Sequence, residues 1–175
     1  QRGLRHGRGA RVSPTGARYA GEFADNFPQG SGVAVSPTGE RYEGQFREGL
    51  PHGQGVAADM SGGRYEGQWH NGRHRGLGAH ASPGGMRFEG EWAEDRPGGC
   101  GVLTSPWLLW LTSRREGHWA GDRLEQPCDH SGCCSDVVRR VREEVLLARS
   151  AAAAARSLAE GLAWPRGAEA SRHEL

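Results

Sequence analysis

The stretch Tyr42-Glu43-Gly44-Gln45-Phe46, a short loop, and then His52-Gly53-Gln54-Gly55 decides the fold. Side chains alternate along a strand, so Tyr42, Gly44 and Phe46 share one face while Glu43 and Gln45 point the other way. Gly53 and Gly55 share a face of a second strand. Bare glycines there leave room for aromatic rings to lie over a neighbouring backbone. Glycine lowers strand propensity, and ring burial offsets this at roughly 1.5–3 kcal/mol for each ring fully buried.

Outward from this unit, everything recurs with a period of 23 residues. The first aromatics are Tyr19, Tyr42, Tyr65 and Phe88; the glycines after them are Gly21, Gly44, Gly67 and Gly90; the second aromatics are Phe23, Phe46, Trp69 and Trp92. Gly-x-Gly pairs follow at 30/32, 53/55, 76/78 and 99/101, and Gly7 and Gly9 extend the series upstream. Such self-similarity is the mark of a repeat architecture. The turns agree. Ser-Pro-Thr-Gly stands at 13–16 and 36–39, and Ser82-Pro83-Gly84-Gly85 is close; proline at i+1 and glycine at i+3 favour a type I turn. In the other loop, Asn26, Gly49, Gly72 and Asp95 tolerate positive φ, so a left-handed residue is expected in each repeat. The pattern predicts strands over 18–24, 30–35, 41–47, 53–58, 64–70, 76–81, 87–93 and 99–105. At about 4.8 Å per strand, each repeat advances roughly 10 Å, in a single layer with open edges and a thinly covered face.

The recurring Tyr-Glu-Gly-Gln-Phe and Gly-x-Gly elements resemble the MORN repeat. Four full copies span 18–104, preceded by a partial copy over 1–17 and followed by a stretched, degenerate copy over 105–126 that carries Glu116-Gly117-His118-Trp119. The resemblance implies an elongated, mainly β, single-layer antiparallel hairpin ladder with a C-terminal α-helix, which binds proteins and has no catalysis of its own. The stretched final copy and the Arg/Ser/Ala-rich C-terminal segment are similar to the retinophilin-like members. Those members bind the tails of class III myosins in actin-rich protrusions, which implies a cytoplasmic adaptor enriched in filopodia or stereocilia. Two other implications are a peripheral membrane module on acidic phospholipid and a regulatory segment of a larger protein. The nearly balanced arginines and carboxylates weaken the membrane reading.

A cap for the sheet is expected over 135–162. Val138, Val141, Val145, Ala148, Ala152, Ala155, Ala159 and Leu162 form an apolar stripe at helical spacing, with Ser135 or Asp136 as N-cap and Gly161 and Pro165 as stop signals. The Val side is expected to dock on the sheet. Residues 127–134 read as a cysteine-containing loop and 163–175 as a flexible tail. Trp107-Leu108-Leu109-Trp110-Leu111 reads as an insertion packing under the helix, since monomers rarely leave such patches bare.

The site expectation is a groove formed by half-buried aromatics: Tyr19, Phe23, Tyr42, Phe46, Tyr65, Trp69, Phe88 and Trp92. Glu22, Glu43, Glu66 and Glu89, with Glu91, form an acidic line near it, mostly solvated, suited to orienting a basic partner. His6, His52, His70, His74 and His80 fall mostly in hairpin loops, where they are expected to be exposed. Cys128, Cys133 and Cys134 with His130 could reach a zinc ion, but no second Cys-x-x-Cys supports it, so free thiols and no metal are expected.

Composition narrows the classes. Basic and acidic residues number 22 and 21, and the near-zero balance argues against a nucleic-acid footprint. Every basic residue is arginine, which excludes lysine Schiff-base chemistry. Gly98-Gly99-Cys100-Gly101 precedes no helix and is not a phosphate loop. No Ser/His/Asp constellation or cofactor motif is present, so no enzyme activity and no cofactor are expected. No apolar run reaches the 18 residues of a membrane span, and the four cysteines lack the spacing of a secreted scaffold, which favours a reducing cytosol. The closing Arg-His-Glu-Leu reads as a chance likeness to a retention signal. Because the chain opens inside a repeat, it is expected to be a fragment.

Overall fold

Two-residue turns set the geometry of each hairpin. Asp25-Asn26 have φ of 48° and 72°, and Glu48-Gly49, Asn71-Gly72 and Glu94-Asp95 repeat the pattern with both residues at positive φ. Consecutive positive φ gives the turn whose twist matches antiparallel strands. In the computed structural model, which describes residues 3–108, 111–129 and 132–163, these turns join β2 (Arg18–Ala24) to β3 (Phe27–Val35), β4 (Arg41–Arg47) to β5 (Leu50–Ala58), β6 (Arg64–His70) to β7 (Arg73–Ala81), and β8 (Arg87–Ala93) to β9 (Arg96–Leu108). β1 (Gly7–Val12) precedes them; β10 (Leu111–Ala120) and β11 (Arg123–Pro127) follow. All eleven strands form one antiparallel sheet in sequence order, which leaves β1 and β11 as its edges.

The expected left-handed residues are present, and the first strand of each pair matches its expected span. The second strands begin three residues earlier than expected. The reason is a bulge. On β2–β3, Gly21 faces Gly32 but Phe23 faces Pro28, so the ladder resumes after a local shift, and the same shift recurs in the next three pairs. The residue after each repeat glycine closes the bulge: Glu22 accepts from the Ser31 N–H, Gln45 from Gln54, Gln68 from Leu77 and Glu91 from Cys100, at 2.8–3.0 Å. The opposite turns close as expected, with the Gly16, Gly39 and Gly85 N–H groups donating to the Ser13, Ser36 and Ser82 carbonyls at 3.0 Å.

The sheet buries two different layers on its two faces. One face carries Tyr19, Phe23, Tyr42, Phe46, Tyr65, Trp69, Phe88, Trp92 and Trp119 as one continuous cluster. Rings meet edge to face within a repeat and between repeats: Tyr42 lies 5.0 Å from both Phe46 and Trp69, and Tyr65 lies 5.2 Å from both Trp69 and Trp92. Each such pair adds about 0.5–1.5 kcal/mol beyond area burial. Their polar atoms are satisfied by backbone. The Tyr42 hydroxyl donates to the Gln45 carbonyl at 2.8 Å, and the Trp69 and Trp92 indoles donate to the Gly55 and Gly78 carbonyls at 3.2 and 3.1 Å. A Cβ on Gly55 would fall inside the Tyr42 phenol, which is why only glycine serves there.

α1 (Ser135–Glu160) covers the other face. It runs back across the repeats: Val138 and Cys134 pack on Val102, Val141 and Val145 on Leu77 and Ala79, and Ala148 and Ala152 on Val56. The Val side docks as expected, and Ala155 is also fully buried. Seven helical residues rise about 10.5 Å and two strands advance about 9.6 Å, so one helical heptad sits over one repeat. The charged contacts keep this step: Arg149 forms a two-pronged pair with Glu66 at 2.8–2.9 Å, and Arg156, seven residues on, pairs with Glu43, 23 residues back. The helix boundaries differ from those expected. Cys134 is the N-cap and makes no side-chain capping bond, its sulfur being paired with Cys100, while its N–H donates to Glu116; Gly161 ends the helix, leaving Leu162 beyond it. No helix among the described residues is long and apolar enough to cross a membrane. The packing expected of side chains 107–111, and the tail beyond 163, lie outside the described residues.

Candidate functional site

On the aromatic face, away from α1, a groove of about 700 Å³ runs across the first three repeats. Its floor is small: Ala34 and Ala57 lie beside the edges of Tyr19, Tyr42, Phe46 and Tyr65. Ala34 pairs with Tyr42 and Ala57 with Tyr65 across the ladder, so the 23-residue period itself builds the depression. The Ser-Pro-Thr-Gly turns form one wall. Arg18, Arg41 and Arg64, a further 23-residue series, stand at the strand starts, and the Arg41 and Arg64 guanidiniums reach Glu43 and Glu66 on the helix face.

The rings themselves are not half-exposed. All eight expected aromatics retain 9% or less of their surface, so they form the core and offer only edges to the groove. The reason is the glycine lattice, which lets each ring settle onto the adjacent strand while the next repeat's ring closes over it. Tyr19, Tyr42, Phe46 and Tyr65 line the groove; Phe23, Trp69, Phe88 and Trp92 lie outside its lining. Burial raises the Tyr42 and Tyr65 hydroxyl pKa values well above the ordinary phenol value, so both act as neutral donors.

The carboxylates do not form one solvated line beside the rings. Glu43 and Glu66 are buried on the helix face, at 5% and 3% exposure, and Glu89 is held there by Arg87 at 3.1 Å. Glu22 belongs to a different register position: it caps a bulge, like Glu91, while the position equivalent to Glu43 is the fully buried Ala20. Burial pushes the Glu66 carboxyl up, but the Arg149 and Arg64 guanidiniums outweigh it and hold it below the usual carboxylate range.

His74 and His80 mark the far end of the groove. His52, His74 and His80 lie on strands and are only partly exposed; the short turns extend the second strands over His52 and His74, and His80 lies within the expected strand. His74 stands where the other repeats place Pro28, Pro51 and Pro97, and it stacks on Tyr65 at 3.6 Å between ring centres. Burial lowers its pKa to about 4, so it is neutral at pH 7 although Asp95 lies 3.6 Å away. Its Nδ1 is buried without a hydrogen-bond partner. The signal for these residues, with Ala34 and Ala57, was in the period: each replaces or repeats a fixed position of the unit.

The cysteines are not free thiols. Cys100 pairs with Cys134 and Cys128 with Cys133, because β9, the segment after β11 and the start of α1 converge at one end of the sheet.

Comparison with known families gives one match. The model of the MORN repeat matches residues 1–18, 19–41, 42–64, 65–87 and 88–107. No curated protein matches the chain significantly. The sheet continues beyond the last matched repeat through β10 and β11, where Trp119 joins the ring cluster and donates to the Gly101 carbonyl at 3.1 Å.

Proposed function

We propose, because the chain belongs to the MORN repeat family, whose modules bind proteins or membranes, that it is a non-catalytic adaptor. Its groove would hold an extended protein segment, most specifically from the tail of a class III myosin, in the cytoplasm of actin-rich protrusions. The observation that carries this reading is the position of the groove: it lies on the face that α1 leaves open and follows the repeat axis over three repeats. Its small floor and turn wall suit alternate side chains of an extended chain. The segment it suits best is an extended one with apolar residues toward Ala34 and Ala57. The stretched final repeat and the C-terminal helix, both shared with the retinophilin-like members, support the myosin assignment.

Calorimetric titration of class III myosin tail segments against the chain tests it. Saturable one-to-one binding is the expected result. Binding only to phosphatidylserine vesicles, with none to any tail segment, would replace the adaptor reading with a membrane one.

A further inference from the structure

Four sulfur atoms meet at the C-terminal end of the ladder, far in sequence from the groove. Cys100 comes from β9, Cys128 from the segment after β11, and Cys133 and Cys134 from the turn that starts α1. They are paired in two disulfides, yet the pairs are not separate: Cys133 Sγ and Cys134 Sγ, which belong to different pairs, are 3.7 Å apart. A zinc ion with four thiolates at about 2.3 Å has tetrahedral edges of about 3.8 Å. The potential ligand atoms of Cys128, Cys133, Cys134 and Glu116 all lie within 4.8 Å of one another, and Cys100 is joined directly to Cys134.

We propose that in the reduced chain Cys100, Cys128, Cys133 and Cys134 form a four-thiolate zinc site that fastens the start of α1 to the last repeats. Glu116 is the outer support, not the fourth ligand. Its carboxylate is engaged by the Cys134 N–H at 2.8 Å, the Gly132 N–H at 3.3 Å and Arg114 at 2.9 Å. Those contacts hold the loop that brings Cys133 and Cys134 back over β9, as partners behind a metal's ligands do. Thiolates gain from the positive end of a 26-residue helix, which begins directly after Cys134. Cys134 is fully buried against Val102 and Val138, whereas Cys133 is exposed and Cys128 partly so, which gives the metal an entry side. Sequence spacing gave no strong signal, because the fourth sulfur lies 28 residues before Cys128 and only the return of the chain beside β9 brings it in. The site is independent of the groove.

Zinc binding and the disulfides are alternatives for the same atoms. Two equivalents of a phosphine, each oxidised to the phosphine oxide with one water, convert the two disulfides to four thiols. Zinc then binds as the thiols release their protons. The test uses the whole chain, reduced with phosphine without chelator, exposed to Zn²⁺ and desalted, with bound metal measured by mass spectrometry. The expected result is one zinc per chain. Cobalt in its place should give tetrahedral d–d bands and thiolate charge-transfer absorption. Cys128→Ser and Cys133→Ser, at the less buried positions, should each abolish stoichiometric retention while circular dichroism stays unchanged. A folded, reduced wild-type chain that retains no zinc and simply reoxidises to two disulfides would overturn the proposal. So would retention that survives both serine substitutions, or a cobalt spectrum without sulfur charge transfer.

Discussion

The two faces of this sheet are buried by different chemistry. The aromatic face is closed by the repeats themselves: each ring packs on its own glycine strand and on the ring of the next repeat, so the layer grows as units are added. The helix face is closed by one added element, whose small residues and arginines meet a Val/Glu surface repeat by repeat. The large rings and the open surface are therefore separate parts of the molecule. The rings that look most like a binding row are the core, and the open groove lies above them on small residues. The carboxylates that look most available are engaged by the chain's own helix.

Breaking the self-made face should cost most. Trp69→Ala removes a ring touching Tyr42, Tyr65 and His74 and leaves a cavity; about 3–5 kcal/mol of stability should be lost in urea unfolding. Breaking the added face at one point should cost less. Arg149→Met leaves Glu66 with Arg64 alone, and a loss of about 1.5–3 kcal/mol is expected by the same measurement. If the two losses were reversed in size, the helix and not the rings would be the main support of the repeats.

The faces should also titrate in different windows. His74 has a folded pKa of about 4, below the ordinary value of about 6.5, so the unfolded chain takes up the proton more readily. Stability is therefore complete above about pH 6.5 and falls as pH drops toward 4, by roughly 3 kcal/mol in all. Glu66 is also lowered, so its contribution is present above the ordinary carboxylate value of about 4.3 and is lost only as pH falls further through its folded pKa. His74→Pro should flatten the upper window alone. Proline occupies that position in the other repeats, and the His74 N–H bonds only the exposed Asp95 side chain. Urea midpoints taken between pH 7.5 and 3.5 for both proteins check this. The smallest effect expected is that of Leu147→Ser, on the exposed side of α1, which should stay within about 0.5 kcal/mol of wild type.

How much of this was legible in the sequence follows from which contacts obey the period. The glycines, rings and turns recur every 23 residues, and their strands and left-handed turn residues appear where the period puts them. The bulge was not legible, because it arises when the Gln45 or Glu22 side chain takes a backbone N–H from the facing strand, a long-range contact with no local mark. Strand alternation already put Glu43 on the face away from Tyr42. Its burial was hidden because it depends on α1 crossing that face with Arg156 in step. Likewise Cys100 and Cys134 meet only because the chain after β11 turns back across β10 toward β9. The groove's floor, Ala34 and Ala57, was written in the period but overshadowed by the larger rings beside it.

In the proposed complex the partner segment lies on Ala34 and Ala57 above an intact ring ladder. The most direct measurement is titration of the class III myosin tail segment against Ala57→Arg, with a thermal melt of the same protein. Ala57 is only partly buried, so an arginine there fills the groove without removing a ring. The expected result is a melting temperature within a few degrees of wild type and affinity reduced at least about tenfold, or ~1.4 kcal/mol. Unchanged affinity in the folded variant would contradict it and would place the partner off this groove.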